Sequence, residues 1–338
     1  MAMTACPGGG VPGGPDIPGQ NAGKVNPNDC GQYASSEAGR KLKAFLEATV
    51  KLDAAVRDTE NTVKQACQAM GKELGMPGLD GNTKDVCNRA IAELQNHIKI
   101  GIKTKADLKV NYEPAVCEVN VDVAASAAAK CEAKAEADIA VTCHGECSGG
   151  CGGECSGTCN GKCDGTCKGS TGSGGECNGV CEGTCQGSCT AGCSGSCSGG
   201  CEGHADVQAS AECEAQAEVY ANVEAKCTEP KVEVTYEAGV VLDKLKLEAA
   251  ERAIMAGVPR LLMVGAKING PVKAAFTTWA KTAGQLKGAA RDIGKAFGDQ
   301  ALCVSGQLAA AAGMLASIQV SIDVQVEVSA SASGSVGG

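Results

Sequence analysis

The residues in this chain able to do chemistry are its 23 cysteines, and their spacing is regular. Cys143, Cys147, Cys151, Cys155, Cys159, Cys163 and Cys167 recur at every fourth position in a C-x-G-x pattern. Cys177, Cys181, Cys185, Cys189, Cys193, Cys197 and Cys201 form a second such array, with Ala191 at one of the Gly positions. Thiols can be joined as disulfides, can hold a metal as thiolates, or can exchange redox equivalents. Folding the second array back on the first pairs Cys143–Cys201, Cys147–Cys197, Cys151–Cys193, Cys155–Cys189, Cys159–Cys185, Cys163–Cys181 and Cys167–Cys177, every pair summing to 344 in residue number. A slip of four residues would align most of the same cysteines, so the arrays alone leave the register open. The flanks decide it. Cys131 with Cys213, Cys117 with Cys227 and Pro114 with Pro230 keep the same sum outside the repeat. Nine cross-strand disulfides are therefore expected.

The other chemistries fit less well. Zinc sites bring C-x₂₋₄-C pairs together as four ligands, often with His; C-x-G-x-C meets that spacing loosely, but a thiolate store needs no mirrored outlying cysteines. His144 and His204 flank the arrays without opposing each other at a sum of 344, and His97 reads as a helix-surface residue. Redox catalysis would use C-x-x-C beside a helix start, and the sequence has none. It also lacks H-E-x-x-H, a P-loop and any informative Ser/His/Asp spacing. No catalytic residue, no cofactor site and no metal site is assigned, and the chain is not expected to be an enzyme.

The elements that must hold the cysteines follow from periodicity. Gly at every fourth position makes a helix unfavourable in the arrays. In a strand, C-x-G-x puts Cys and Gly on one face and polar residues on the other. The outlying arms alternate as well: odd positions from Cys117 to Cys143 are Val, Ala, Ile or Cys, and odd positions from Ala205 to Cys227 are Ala, Val or Cys. Period two over this distance predicts extended strands with one small apolar face. At about 3.3 Å per residue, the arm from Cys117 to Cys167 would be roughly 170 Å long. A turn falls near residues 168–176. An isolated two-stranded hairpin is marginal in water, and covalent rungs of about 2–3 kcal/mol each would offset that.

The fold class expected is α+β: a helical bundle base with a very long disulfide-laddered antiparallel β-hairpin inserted, plus a C-terminal third strand. Residues 35–108 and 237–316 form the bundle, and 109–236 the Cys-rich stalk. Glu37 to Leu74 is an amphipathic helix and Thr83 to Lys99 a second. Cys67 and Cys87 lie on facing parts of this αα-hairpin and are candidates to pair. Three more helices are expected over Ala238–Ala256, Pro271–Phe297 and Ala301–Ala316, with Pro271 at a helix start and Trp279, Phe276, Leu286, Ile293 and Phe297 as the aromatic core. Residues 317–338 alternate from Ile318 to Ala330, which predicts the third strand and a loose tail.

Residues 1–34 read as a flexible Gly/Pro-rich tether. No signal peptide is visible in Met1 to Pro18, and no apolar stretch is judged long enough to span a bilayer. Met3-Thr4-Ala5-Cys6 is similar to the end of a bacterial lipoprotein cleavage site, so Cys6 is a candidate for lipidation or intermolecular attachment. Eighteen cysteines fill the nine rungs, and Cys30, Cys67, Cys87 and Cys303 remain to pair within the body.

The net charge of −9 argues against nucleic acid as a partner, and aromatics at 2% leave few large core side chains. So many cysteines imply an oxidising, extracellular or cell-surface setting, with a presumed leader removed. The function expected is a secreted or surface-anchored structural or adhesive protein, its rigid rod serving as stalk or assembly element. Self-association into oligomers or filaments is expected because long strand edges invite pairing, and membrane contact only through a lipid anchor. The alternatives are a membrane-active, pore-forming-like toxin or effector with a helical body, and a thiol-rich metal-binding protein.

Overall fold

The computed structural model describes residues 25–104, 107–172, 176–193, 197–202, 204–288, 297 and 300–336. Cys6 and Ile293 lie outside the described residues. The bundle begins with α1 (Glu37–Glu73) and α2 (Thr83–Gly101). Each starts where a side chain satisfies an orphan backbone N–H: Ser36 Oγ accepts from Gly39 N, and Asn82 Oδ1 accepts from Asp85 N. The apolar stripe expected on α1, from Leu42 and Phe45 through Val63 to Met70, is buried, as are Val86, Ile91, Leu94 and Ile98 on α2. Each such side chain contributes about 1.5–3 kcal/mol on leaving water.

The inserted module then runs through strands β1 (Lys109–Tyr112) and β2 (Cys117–Asn120), helix α3 (Val121–Glu132), and strands β3 (Val141–His144), β4 (Gly150–Cys151) and β5 (Cys159–Thr171). The return arm comprises β6 (Glu176–Cys189), β7 (Cys197–Ser198), β8 (Gly200–Glu202), β9 (His204–Val207), helix α4 (Ala211–Val223), β10 (Lys226–Cys227) and β11 (Val232–Thr235). The antiparallel hairpin is there, but its arms are not extended throughout. The alternating stretches around Cys131 and Cys213 fold as α3 and α4. Alanine is the best helix former, so Ala at odd positions does not commit the backbone to a strand. Asn120 also caps α3 by accepting from Asp122 N and Val123 N. The mirror images of Val121 and Glu132 are Val223 and Glu212, so the two helices answer each other with one extra residue, Ala211, on α4.

The bundle resumes with α5 (Lys244–Lys267), capped by Asp243, and passes through a π-helical turn at Ile268–Val272 into α6 (Lys273–Gly288). Pro271 therefore sits inside a continuous helical path, not at a start; the π turn absorbs the N–H that proline lacks. Trp279 is fully buried on α6, stacks on Phe45 at 5.8 Å between centroids, and donates from Nε1 to Thr49 Oγ1 at 2.7 Å.

The expected C-terminal strand is a helix, α7 (Ala301–Val336). Its buried residues, Val304, Gln307, Ala311, Ile318, Ile322, Gln325, Val328, Ser329 and Ala332, follow a helical face and not a period of two. Gln325 Nε2 donates to Val56 O, Ser329 Oγ donates to Leu261 O, and Lys84 pairs with Glu327. Docking into the grooves of α1, α2 and α5 outweighs the β preference of the Val/Ile run, which is the smaller quantity. The expectation of no membrane-length apolar stretch is also corrected: Ala301–Ala332 is long and apolar enough by length and composition. Nor is the tether free over its described end, where Cys30 and Tyr33 are buried and Cys30 is bonded to Cys303 on α7. His97 is buried, not on the surface, with Nε2 at 3.2 Å from Glu93 Oε1 and 3.1 Å from Lys246 Nζ.

Candidate functional site

The candidate site is the disulfide ladder. At the base, β1 pairs with β11 and β2 with β10 at the mirror sum of 344, which puts Cys117 opposite Cys227. Beyond the α3/α4 pair the strand register changes. Val141 faces Val207, Cys151 faces Cys197, Cys163 faces Cys185 and Cys167 faces Cys181, all at a sum of 348. This register also places His144 opposite His204 in the backbone, contrary to their expected separation.

The disulfides do not follow that change. The structure joins Cys117–Cys227, Cys131–Cys213, Cys143–Cys201, Cys147–Cys197, Cys151–Cys193, Cys155–Cys189, Cys159–Cys185, Cys163–Cys181 and Cys167–Cys177. Cys67–Cys87 and Cys30–Cys303 complete eleven bonds among the described residues. From Cys147 to Cys167, each cysteine is bonded to the neighbour of the cysteine it faces. Bonded Cα atoms in the two arrays are 5.6–6.0 Å apart, within the usual disulfide span.

A straight ribbon would not hold both patterns comfortably, and the hairpin is not straight. Cys189 faces Cys159 on one edge and exchanges backbone hydrogen bonds of 2.9 Å with Cys147 on the other. Cys159 likewise faces Cys189 on one edge and Gly179 on the other, and Cys185 N donates to Gly153 O. The two-stranded ribbon is therefore wound, with successive turns hydrogen-bonded edge to edge. Winding turns the Cys/Gly face inward: every array cysteine except Cys163 and Cys167 is buried, and the disulfides are the core of the coil. It also covers strand edges that a straight rod of roughly 170 Å would leave open. The polar residues stay outside, as in the Lys168–Glu182 pair and the Ser148 Oγ hydrogen bond to Glu118 Oε1.

Glycine makes the winding possible. Gly165 and Gly183 face each other with φ of +153° and +144°. A Cβ on Gly165 would fall 2.1 Å from Glu182 O, and one on Gly183 would fall 2.2 Å from Asp164 O. Neither backbone shape nor space admits a side chain there.

Glu218 on α4 is 1% exposed, and burial raises its pKa from 4.5 to about 7 despite a hydrogen bond from Thr278 Oγ1 on α6. Lys267 is pushed below its ordinary value by burial. Disulfide sulfurs are not thiolates, so in this bonded state the ladder does not offer zinc its usual ligands. Sequence reasoning left Cys30 and Cys303 unassigned, and their separation of 273 residues gives no local signal beyond the cysteine count. It passed over Glu218, which lies on the even, supposedly solvated face of a strand that is a helix.

No protein-family model, curated protein or solved structure matches this chain.

Proposed function

We propose that this chain is an extracellular structural protein whose helical body presents a covalently locked, wound β-coil as a stiff surface element. The observation that carries the reading is the burial of the bonded arrays as the coil's own core. A module built this way holds its shape through covalent rungs where a glycine-rich ribbon alone could not. Eleven disulfides point to an oxidising compartment, which places the protein outside the cytosol in this reading. Stalk, adhesive or assembly roles follow from stiffness, and self-association into oligomers or filaments is part of the proposal. Sedimentation and electron microscopy of the oxidised chain test it: defined oligomers or filaments that dissolve on reduction support an assembly role. Compact monomers at all concentrations, with the coil cleaved by protease as readily oxidised as reduced, would remove both stiffness and assembly.

One observation favours a second reading, a membrane-active protein. Residues 301–322 on α7 form an uncharged run of 22 residues, about 33 Å of helix against a hydrocarbon core of about 30 Å. The Cys30–Cys303 bond ties the start of this helix to the N-terminal segment. Dye release from liposomes that appears only after that bond is reduced would favour this reading, and absence of release in both redox states would dismiss it.

A further inference from the structure

A cavity of about 650 Å³ opens where the ladder's base meets the bundle, between α1, α3 and α4. Its apolar lining comes from Ala44 on α1, Val123 and Ala127 on α3, and the ring of Tyr220 on α4. Arg40 from α1 lines it too, and its Nε is buried with no hydrogen-bond partner. None of the ion pairs among the described residues includes Arg40; Glu37, one turn earlier, is held by Lys41 at 2.8 Å and also feels the Arg40 charge. Two further cations border the opening: Lys43, which reaches Glu47 only at 3.9 Å, and Lys130. Three carboxylates line it as well. Glu47 is occupied by Gln216 Nε2 at 3.1 Å, and Asp122 and Glu136 are exposed at the rim.

We propose that this cavity binds a small amphipathic carboxylate, an apolar body with one anionic head, with the head on the Arg40 guanidinium and the body against Val123, Ala127 and Tyr220. A carboxylate matches the guanidinium fork better than any neutral acceptor. The volume is in the range of ordinary small-molecule sites, and apolar walls with a few polar groups are their usual composition. Cys131 lies in the same wall and is bonded to Cys213, so the covalent module fixes the cavity's shape.

The test uses the full oxidised chain and two probes of equal length and opposite charge, octanoate and octylammonium, followed by calorimetry. Octanoate is expected to bind one per chain, at least tenfold tighter than octylammonium. Arg40→Gln should lose at least tenfold of that affinity, Arg40→Lys should recover part of it, and Ala127→Phe should abolish binding by filling the cavity, with melting curves confirming that each variant is folded. No saturable octanoate binding overturns the proposal, as does equal affinity for octylammonium or an Arg40→Gln variant that binds normally. Should Arg40→Gln not fold, the probe comparison and Ala127→Phe decide alone.

Discussion

Cys163 stands opposite Cys185 in the strand register and is bonded to Cys181, one rung along. The same offset separates facing and bonded partners at Cys147, Cys151, Cys155, Cys159 and Cys167. Bonding at the facing register would leave two thiols over, because Cys143 faces Ala205 and Cys177 faces Thr171. The mirror register uses all fourteen array cysteines.

That asymmetry gives the first prediction. With Cys143→Ser and Cys177→Ser together, the facing register pairs all twelve remaining array cysteines, whereas the mirror register would leave Cys167 and Cys201 free. One additional rung is worth about 2–3 kcal/mol. The double variant should therefore oxidise with a Cys163–Cys185 link, seen by non-reducing peptide mapping. Retention of Cys163–Cys181 with two new free thiols would mean that the flanking bonds, not rung count, set the register.

A second prediction concerns the glycine pair at the same level. Gly165→Ala puts a Cβ against Glu182 O at a backbone angle that alanine avoids. Scrambled links and raised free-thiol counts are expected after oxidative refolding. Gly192→Ala, whose added carbon would meet only Ser156 Oγ at 3.5 Å, should refold as the parent does. Equal yields from both variants would show that the winding does not depend on close glycine contacts.

The conformation of the C-terminal segment is testable through three neighbouring residues. Ile318 and Ile322 are 1% and 3% exposed, while Val320 between them is 62% exposed. On one face of a strand all three would behave alike. On α7, Ile322→Asp should cost about 3–5 kcal/mol by burying a charge, and Val320→Asp should stay within about 0.5 kcal/mol. Urea unfolding monitored by the fluorescence of Trp279 measures both.

Glu218 predicts a pH dependence with a definite sign. Its pKa is raised on folding from 4.5 to about 7, chiefly by burial, so the folded chain binds this proton more tightly than the unfolded one. The associated stability, about 3 kcal/mol, is fully present below pH 4.5 and is lost as the pH rises through about 7. Glu218→Gln should flatten the stability profile across that window and melt higher than the parent at pH 8. A parent profile rising from pH 5 to pH 8 by a comparable amount, unchanged by the substitution, would contradict the burial of this carboxyl.

Much of the ladder was legible in the sequence because pairing along a hairpin depends only on equal residue counts in the two arms. The sum of 344 holds for Cys131 and Cys213 although they sit on helices, since α3 and α4 shorten both arms together. Conservation of the sum therefore did not prove extended strands. The αα-hairpin of α1 and α2 was readable for a different reason: long apolar stripes of period 3.6 leave few alternatives.

What the sequence by itself determined is which cysteines are partners in the nine ladder rungs, because stoichiometry and mirror symmetry need no coordinates, and that two helices open the bundle, because apolar stripes are local. What only the tertiary structure decided is conformation wherever local signals compete. The Ala and Val alternations became helices because packing against the bundle, as for Glu218 against Thr278 and Ile322 in its groove, contributes more than the β preference of single residues. The winding of the ladder and the cavity at Arg40 were likewise invisible, since each arises from backbone edges and side chains far apart in the chain that only meet once the whole is folded.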